Sequence, residues 1–315
     1  MNELDIRPKR LRDFVGQRQV VENLKVFIEA AKKRGDAVEH ILLIGPPGLG
    51  KTTLATIIAN EMGVQMKATT GPSLERPADL AGILTSLPPK GILFIDEIHR
   101  IPKPVEEYLY TAMEDFYIDV IVDKGPGAKT LRLHLPKFTL IGATTRMGLL
   151  SKPLLSRFGI VLRLDYYSPE EIVQILKRSA DILDVKAEEG ALIEIAKRSR
   201  GTPRIANNLL KRVRDFLHVR GGDVITREMA IEALEKMGID ELGLNEEDLR
   251  YLRALFEKFR GGPVGLKTLS AALSEDEGTL EEVIEPYLLR MGLIEKTPRG
   301  RVLTLKGVEH IGKRV

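Results

Sequence analysis

Gly45-Pro46-Pro47-Gly48-Leu49-Gly50-Lys51-Thr52 follows the apolar run Ile41-Leu42-Leu43-Ile44 and precedes a helix-compatible stretch from Leu54 to Glu61. The eight residues match G-x-x-x-x-G-K-[ST] in full, and a strand before and a helix after are what that pattern requires. Glycines let backbone N–H groups curl around a polyphosphate, Lys51 neutralises the β/γ oxygens, and Thr52 offers its hydroxyl to Mg²⁺. A Gly/Pro turn that binds nothing would need neither flank. A nucleoside-triphosphate site is therefore expected.

Outward from this loop, more short apolar runs alternate with helical stretches. Ile92-Leu93-Phe94-Ile95 leads into Asp96-Glu97, Phe138-Thr139-Leu140-Ile141 leads into Gly142-Ala143-Thr144-Thr145, and Ile160-Val161-Leu162 closes the series. Continuous apolar strands spaced by helices indicate an α/β fold whose parallel sheet is buried on both faces. One segment alternates instead. Ile118 to Val122, a turn at Asp123-Lys124-Gly125-Pro126-Gly127, and Leu131, Leu133 and Leu135 read as a β-hairpin inserted between sheet strands.

From Ser168 onward strand signals vanish. Ser168-Pro169-Glu170-Glu171 is a helix start, with Ser as N-cap, Pro at N1 and Glu at N3. Helical periodicity runs through 170–181, 188–199, 203–219 and 226–237, a small helical domain. After Gly238 to Gly243 come helices over Glu246–Phe259, Leu266–Leu273 and Leu280–Met291. Strands at Leu293–Lys296 and Arg301–Thr304 follow, joined by Thr297-Pro298-Arg299-Gly300. Three helices and a hairpin make a winged helix. The expected division is 1–167 for the nucleotide-binding core, 168–240 for the small helical domain and 241–315 for the winged helix.

Composition limits the alternatives. The 315 residues are 43% hydrophobic and 30% charged, as in a soluble globular protein of two to three domains. A net charge of +3 confines any nucleic-acid contact to local patches. There is no Cys, hence no disulfide or thiol chemistry, and the five scattered His form no close pair. Residues Met1 to Arg7 carry acids where a signal peptide needs an apolar core, and no apolar run approaches about 18 residues. A cytoplasmic protein without membrane contact is expected.

Asp96-Glu97 ends its strand 45 positions after Lys51. Asp96 can join the Mg²⁺ shell while Glu97 polarises an attacking water, a pairing that binding alone would not need. Thr144-Thr145 end the next strand, where a hydroxyl can reach a γ-phosphate or its water. Arg157, in Ser156-Arg157-Phe158, is placed by sequence at the start of the last strand. It is either a surface charge or a cation projecting into a neighbouring subunit's nucleotide site. Arg204, in Gly201-Thr202-Pro203-Arg204, opens a helix where the dipole disfavours a cation, which invites a functional reason.

The phosphate loop, Asp96-Glu97-Ile98-His99, the threonine strand end, Ser156-Arg157-Phe158 and Gly201-Thr202-Pro203-Arg204 together resemble an AAA+ ATPase. Ile6-Arg7-Pro8, Gly45–Thr53, Gly142-Ala143-Thr144-Thr145-Arg146, Gly201–Asn207 and Thr297-Pro298-Arg299-Gly300-Arg301 are similar to the RuvB family, motors of bacterial Holliday-junction branch migration in recombination and repair. The likeness covers essentially the whole chain. It implies ATP hydrolysis with Mg²⁺ held by Thr52 and Asp96, and phosphates bound by Gly48, Gly50, Lys51, Thr52 and Thr53. It implies that Ile6 and Arg7 line the base pocket, with Tyr167 and Pro203 close by and Glu114, Asp115 and Phe116 near the nucleotide. Thr145 would be a sensor on its strand, Arg157 the finger acting in trans and Arg204 the lid sensor. The implied partners are duplex DNA at Holliday junctions, RuvA docking on the Ile118–Leu135 hairpin, RuvC in the resolving complex, and five further copies in a hexameric ring.

The wing supports DNA contact directly. Arg290, Lys296, Arg299 and Arg301 face only Glu295 in that stretch, whereas residues 275–285 hold six acids and no base. Phosphate repels such an acidic helix, so Lys296, Arg299 and Arg301 are the expected DNA contacts, made to the backbone without base reading. Two rivals remain at this stage. One is an AAA+ winged-helix initiator or loader using ATP as a switch, against which the acids at 275–285 speak. The other is a nucleotide-gated module that does not hydrolyse ATP, against which Glu97 speaks.

Overall fold

The computed structural model describes residues 6–121 and 130–313. The Asp123–Gly127 turn, Val122 and the stretch Met1 to Asp5 lie outside the described residues. In chain order the first seven strands are β1 (Ile41–Ile44), β2 (Met66–Thr70), β3 (Ile92–Asp96), β4 (Tyr117–Ile121), β5 (Thr130–His134), β6 (Thr139–Thr144) and β7 (Ile160–Arg163). Five of them form a parallel sheet in the order β2-β3-β6-β1-β7. Every residue of β1 and β6 is buried, as a parallel sheet covered on both faces demands.

Strand β2 was not among the sequence expectations. Met66-Lys67-Ala68-Thr69-Thr70 carries no apolar run because it is an edge strand with no fully buried residue. It is held by its pairing to β3, from Met66↔Ile92 to Thr70↔Asp96.

Strands β4 and β5 pair antiparallel from Tyr117↔His134 to Ile121↔Thr130 as a sheet of their own, so the hairpin does not extend the main sheet. Its base is anchored where Ile118 is fully buried and Leu133 packs on the same core cluster. Farther along that face Val120 is partly buried, and its cross-strand partner Leu131 is 53% exposed. Asp119 and Arg132 lock the other face with two hydrogen bonds of 2.8 and 2.9 Å.

The chain divides into two compact units, Met1–Leu183 with Thr202–Arg204, and Asp184–Gly201 with Ile205–Val315. The helix Pro169–Ile182 belongs to the first and starts with the expected capping box between Ser168 and Glu171. The helices Glu189–Arg198 and Arg227–Lys236 lie in the second unit, as does Pro203–Arg220 from Ile205 on, and all three follow the expected periodicity. The expectation of a small domain made of helices alone is corrected by β8 (Lys186–Ala187) and β9 (Val224–Ile225), paired parallel. At two residues each they are too short to show any period.

The C-terminal part has helices Glu246–Arg253 and Leu266–Leu273 and a composite helix from Glu277 to Arg290, then β10 (Ile294–Thr297) and β11 (Gly300–Leu303). A further helix, Leu305–Gly312, completes it. The composite helix widens to a π turn at Leu280–Ile284. Pro286 lies just beyond, and a wide turn relieves the clash between its ring and the carbonyl four residues back. Leu249, Leu252, Leu255, Leu269, Leu280, Leu288 and Leu293 form the core. No described helix is long and apolar enough to cross a membrane.

Candidate functional site

The phosphate loop leaves β1 at the carboxyl edge of the sheet and enters the helix Lys51–Met62. That helix has no side-chain N-cap and no acid in its first turn, so its first N–H groups and its dipole are available to an anion. Lys51 is 8% exposed, and its ammonium donates to the carbonyls of Gly45 at 2.7 Å and Pro46 at 2.8 Å. Burial drops its pKa to about 8, with Asp96 opposing the fall and Arg204 adding to it. Two cations and one carboxylate thus converge on the loop.

Gly48 has φ +81°, and a Cβ there would sit 2.8 Å from Thr202 Cγ2 and 3.2 Å from Arg204 Cβ. Only glycine allows the Thr202–Arg204 segment this close. Its approach is sealed by the Arg204 N–H, which reaches the Gly48 carbonyl at 3.4 Å. Pro203 is half-buried and the Arg204 side chain exposed.

Asp96 ends β3, and its Oδ1 accepts the Glu97 N–H at 2.9 Å, holding Glu97 at φ +48°. The Glu97 carboxylate accepts from Arg100 Nη1 at 2.9 Å. Thr144, ending β6, is buried. Its Oγ1 accepts the Arg146 N–H at 3.0 Å and lies 2.9 Å from His99 Nδ1. Burial lowers the His99 pKa against the pull of Glu97, which favours the neutral ring. Thr145 is exposed just past the strand. His99 was not among the expected site residues, although it stands in the quoted Asp96–His99 string; its link to Thr144 spans 45 positions and has no local signature.

On the other side of the loop, Tyr167 is buried and its hydroxyl donates to the Leu49 carbonyl at 2.9 Å. Phe14 packs beside Gly50. Ile6 is 3% exposed, and its carbonyl accepts from Arg178 Nη1 at 2.6 Å. Phe14 and Arg178 had no motif to flag them.

Two expected groups are elsewhere. Arg157 precedes β7 by three residues instead of beginning it. Because β7 runs parallel to β1, with Ile41↔Ile160 and Ile44↔Arg163, Arg157 lies at the amino edge and the phosphate loop at the carboxyl edge. Four-residue strands at about 3.3 Å per residue separate those edges by about 10 Å before the flanking turns. Arg157 donates to Pro153 O at 2.6 Å and to Glu114 Oε2 at 3.2 Å and stacks over Tyr110, while its Nε is buried without a hydrogen-bond partner. Glu114, Asp115 and Phe116 share this amino edge. His40, just before β1, accepts the Leu140 N–H on Nδ1, so its Nε2 donates to Met113 O at 2.9 Å, and its ring lies 6.3 Å from Phe116. These residues do not reach the loop of their own chain.

The wing also differs from expectation. Arg301 is 13% exposed and donates to the fully buried Glu285, as Lys296 does at 2.7 Å, while Arg299 stands exposed on the turn. Burial pushes the Glu285 carboxyl up, but hydrogen bonds from Arg301, Lys296 and Tyr251 outweigh it and hold the carboxyl below its ordinary value. Arg301 thus directs its guanidinium to Glu285, whereas Arg299 presents its side chain to solvent.

Among the described residues no cluster of three or more His, Asp or Glu could hold a metal ion by itself. Thr52 and Asp96 offer one hydroxyl and one carboxylate, which suits Mg²⁺ sharing its shell with phosphate oxygens and water. The residues fit the group.

Three family models match in chain order: the Holliday junction DNA helicase RuvB P-loop domain over residues 6–164, the RuvB AAA lid domain over 167–240 and the RuvB C-terminal winged helix domain over 241–312. The solved structure of the Thermotoga maritima RuvB Holliday junction branch migration motor is similar at 50% identity and a TM-score of 0.86, covering 98% of each chain. Two point mutants of Thermotoga maritima RuvB are similar at 50% identity and a TM-score of 0.87, over 98% of this chain and 99% of theirs. Matched from residue 6 to residue 312 and half identical along nearly its whole length, this chain belongs to the RuvB family.

Proposed function

We infer that this chain is an ATP-hydrolysing DNA motor that drives branch migration of Holliday junctions. The observation that carries the reading is the Arg204 amide at the Gly48 carbonyl, in a chain whose three parts match RuvB models in order. That contact supports Arg204 as a sensor of the phosphate loop, a device that a motor needs and a mere binding module does not.

In this reading Lys51 and the first N–H groups of its helix bind the β/γ-phosphates, and Thr52 and Asp96 hold Mg²⁺. When bound, Mg²⁺ supplies charge neutralisation on the phosphate oxygens. Glu97 orients and deprotonates the attacking water once released from Arg100. Thr144 fixes the strand end from which Thr145 senses the γ-phosphate. Arg157 acts on the site of a neighbouring subunit, a role favoured by its position at the far edge of its own sheet. A trans arginine requires an oligomer, and a ring of six subunits is what the family likeness suggests. Glu114, Asp115 and Phe116, beside Arg157, would approach the nucleotide from that same neighbour.

Arg299 and Lys296 contact DNA phosphates, and the Leu131 face of the hairpin docks on RuvA. RuvC joins the resolving complex, and the work is done in the cytoplasm.

The test is Glu97→Gln. It should retain ATP and assembled rings while abolishing turnover, because the Mg²⁺ ligand Asp96 is untouched. Hydrolysis at the wild-type rate would remove Glu97 from the chemistry. Strand exchange on a synthetic four-way junction, with and without RuvA, checks the motor itself.

A further inference from the structure

Thr202–Arg204 pack with the nucleotide-binding unit, while the residues on both sides of them belong to the second unit. The residue that anchors the near side of this crossing is Arg200. It follows the helix Glu189–Arg198 and takes φ +58°, and Gly201 after it takes φ +65°. A left-handed conformation is costly for a side chain of this size, and glycine or asparagine would adopt it more cheaply. The side chain of Arg200 must therefore offset that cost.

It makes three contacts to the C-terminal winged helix and the linker leading to it. Nε donates to the Gly243 carbonyl at 2.9 Å, and Nη2 donates to Asp248 Oδ2. Asp248 is 2% exposed and closes the capping box of the helix Glu246–Arg253 with Asn245. The Arg200 guanidinium also stacks 4.4 Å over the Tyr287 ring, whose hydroxyl donates to the Leu242 carbonyl at 2.6 Å. Arg290 lies 5.0 Å from the same ring and donates to the Arg200 carbonyl at 2.5 Å. Gly243, at φ +76°, lets the linker lie flat on this corner, since a Cβ there would sit 2.7 Å from the Arg198 carbonyl. One side chain thus grips the linker, the first helix and the Tyr287-bearing helix of the winged helix, and its backbone lies four positions from Arg204.

We propose that Arg200 is a positioning residue that transmits the nucleotide state sensed at Arg204 to the winged helix through Asp248 and Tyr287. The proposal rests on the motor reading above. Only Gly201, Thr202 and Pro203 separate the two arginines, so a shift of Arg204 with the phosphate loop is passed to Arg200 through one hinge residue and one stiff proline. From Arg200 it is passed to three separate parts of the winged helix, where a covalent linker alone would leave slack.

The test compares Arg200→Ala, Arg200→Lys and Tyr287→Leu with wild type in the full chain. Four quantities are measured: ATP hydrolysis without DNA, affinity for a fluorescent ATP analogue, duplex affinity, and branch migration on a synthetic four-way junction with RuvA. Arg200→Ala should keep the first three within about twofold of wild type. Migration should fall about tenfold, with ATP consumed per base pair moved rising by about the same factor. Tyr287→Leu should behave alike, and the double variant should be no worse than either single one, because both act in one link. Arg200→Lys keeps the charge beside Asp248 but loses the flat stack and the second bond, so it should be intermediate. It also carries the test if Arg200→Ala fails to fold. Wild-type migration by a folded variant would overturn the proposal. So would a loss of migration matched by equal losses of duplex affinity or basal hydrolysis, which is the signature of a merely structural role. If wild type hydrolyses ATP but moves no junction, the motor reading falls and this proposal with it. If wild type and variants all move junctions equally, only this proposal falls.

Discussion

Arg301 donates from Nε to Glu285 Oε1 at 2.8 Å, and the carboxylate it holds is completely buried beneath the wing. Tyr251 donates to the same oxygen at 2.8 Å, and Lys296 reaches the other at 2.7 Å. Glu281 also lies within 3.2 Å of both cations. Two of the six acids that make the 275–285 stretch look forbidding to DNA are thus neutralised by the wing's own bases, and the wing's three basic residues are not equivalent.

Arg301→Ala should destabilise the winged helix by roughly 2–3 kcal/mol, somewhat under the usual cost of stranding a buried charge because Lys296 still faces Glu285. Arg299→Ala should leave the melting temperature unchanged and reduce the log–log salt slope of duplex binding by about one unit. Thermal melts and salt titrations of the two variants check the contrast. Equal melting temperatures would show that Glu285 does not depend on Arg301.

Arg157→Ala should bind ATP yet hydrolyse it about 10³-fold more slowly. Mixing it with Lys51→Ala should restore part of the turnover, because an intact loop from one subunit and an intact arginine from the next then meet at some interfaces. The expectation follows from the sheet, where Arg157 and the loop of its own chain occupy opposite edges. Mixed rings that assemble but recover nothing would contradict action in trans.

Leu131→Asp should abolish RuvA binding and RuvA-dependent stimulation while leaving basal ATP hydrolysis within about twofold. Ile118 and Leu133 secure the base of the hairpin in the core, so the distal Leu131 is available for a partner without a role in holding the fold. A pull-down with RuvA and a hydrolysis assay decide the matter, and undiminished binding would move the docking site elsewhere.

Lys51 ties nucleotide affinity to pH. Burial lowers its pKa from 10.5 to about 8, so it is charged below that value and loses its proton above it. Phosphate binding needs the charged form. Affinity should be flat below about pH 8 and fall about tenfold per unit above it. Stability of the nucleotide-free protein moves the other way. The penalty for burying the charged amine is fully present below the folded pKa and is relieved as pH rises towards 10.5. Nucleotide titrations and melts across this window test both signs, and constant affinity to about pH 10 would refute the assignment.

Much of this protein is legible in its chain order because the chemistry is local. The phosphate loop uses consecutive backbone N–H groups, and Asp96-Glu97 stands at the end of an apolar run. The Ser168–Glu171 capping box closes within one turn. Interior strands such as Ile41–Ile44 announce themselves because burial on both faces demands an unbroken apolar run. What only the tertiary structure decided concerns partners far apart in sequence. Met66–Thr70 is a strand because β3 pairs with it, and its own residues carry no apolar period. Arg299 and Arg301 are the same residue type two positions apart, yet Arg299 stands exposed on the turn while Arg301 lies in β11 opposite Lys296 and reaches Glu285. His99 meets Thr144, and Arg200 meets Asp248, only after the intervening chain has folded. A sequence specifies which groups are charged and where the backbone can turn. Burial, pairing and the sheet edge a residue occupies depend on packing between elements, and they decide whether a cation serves the fold, the nucleotide or the DNA.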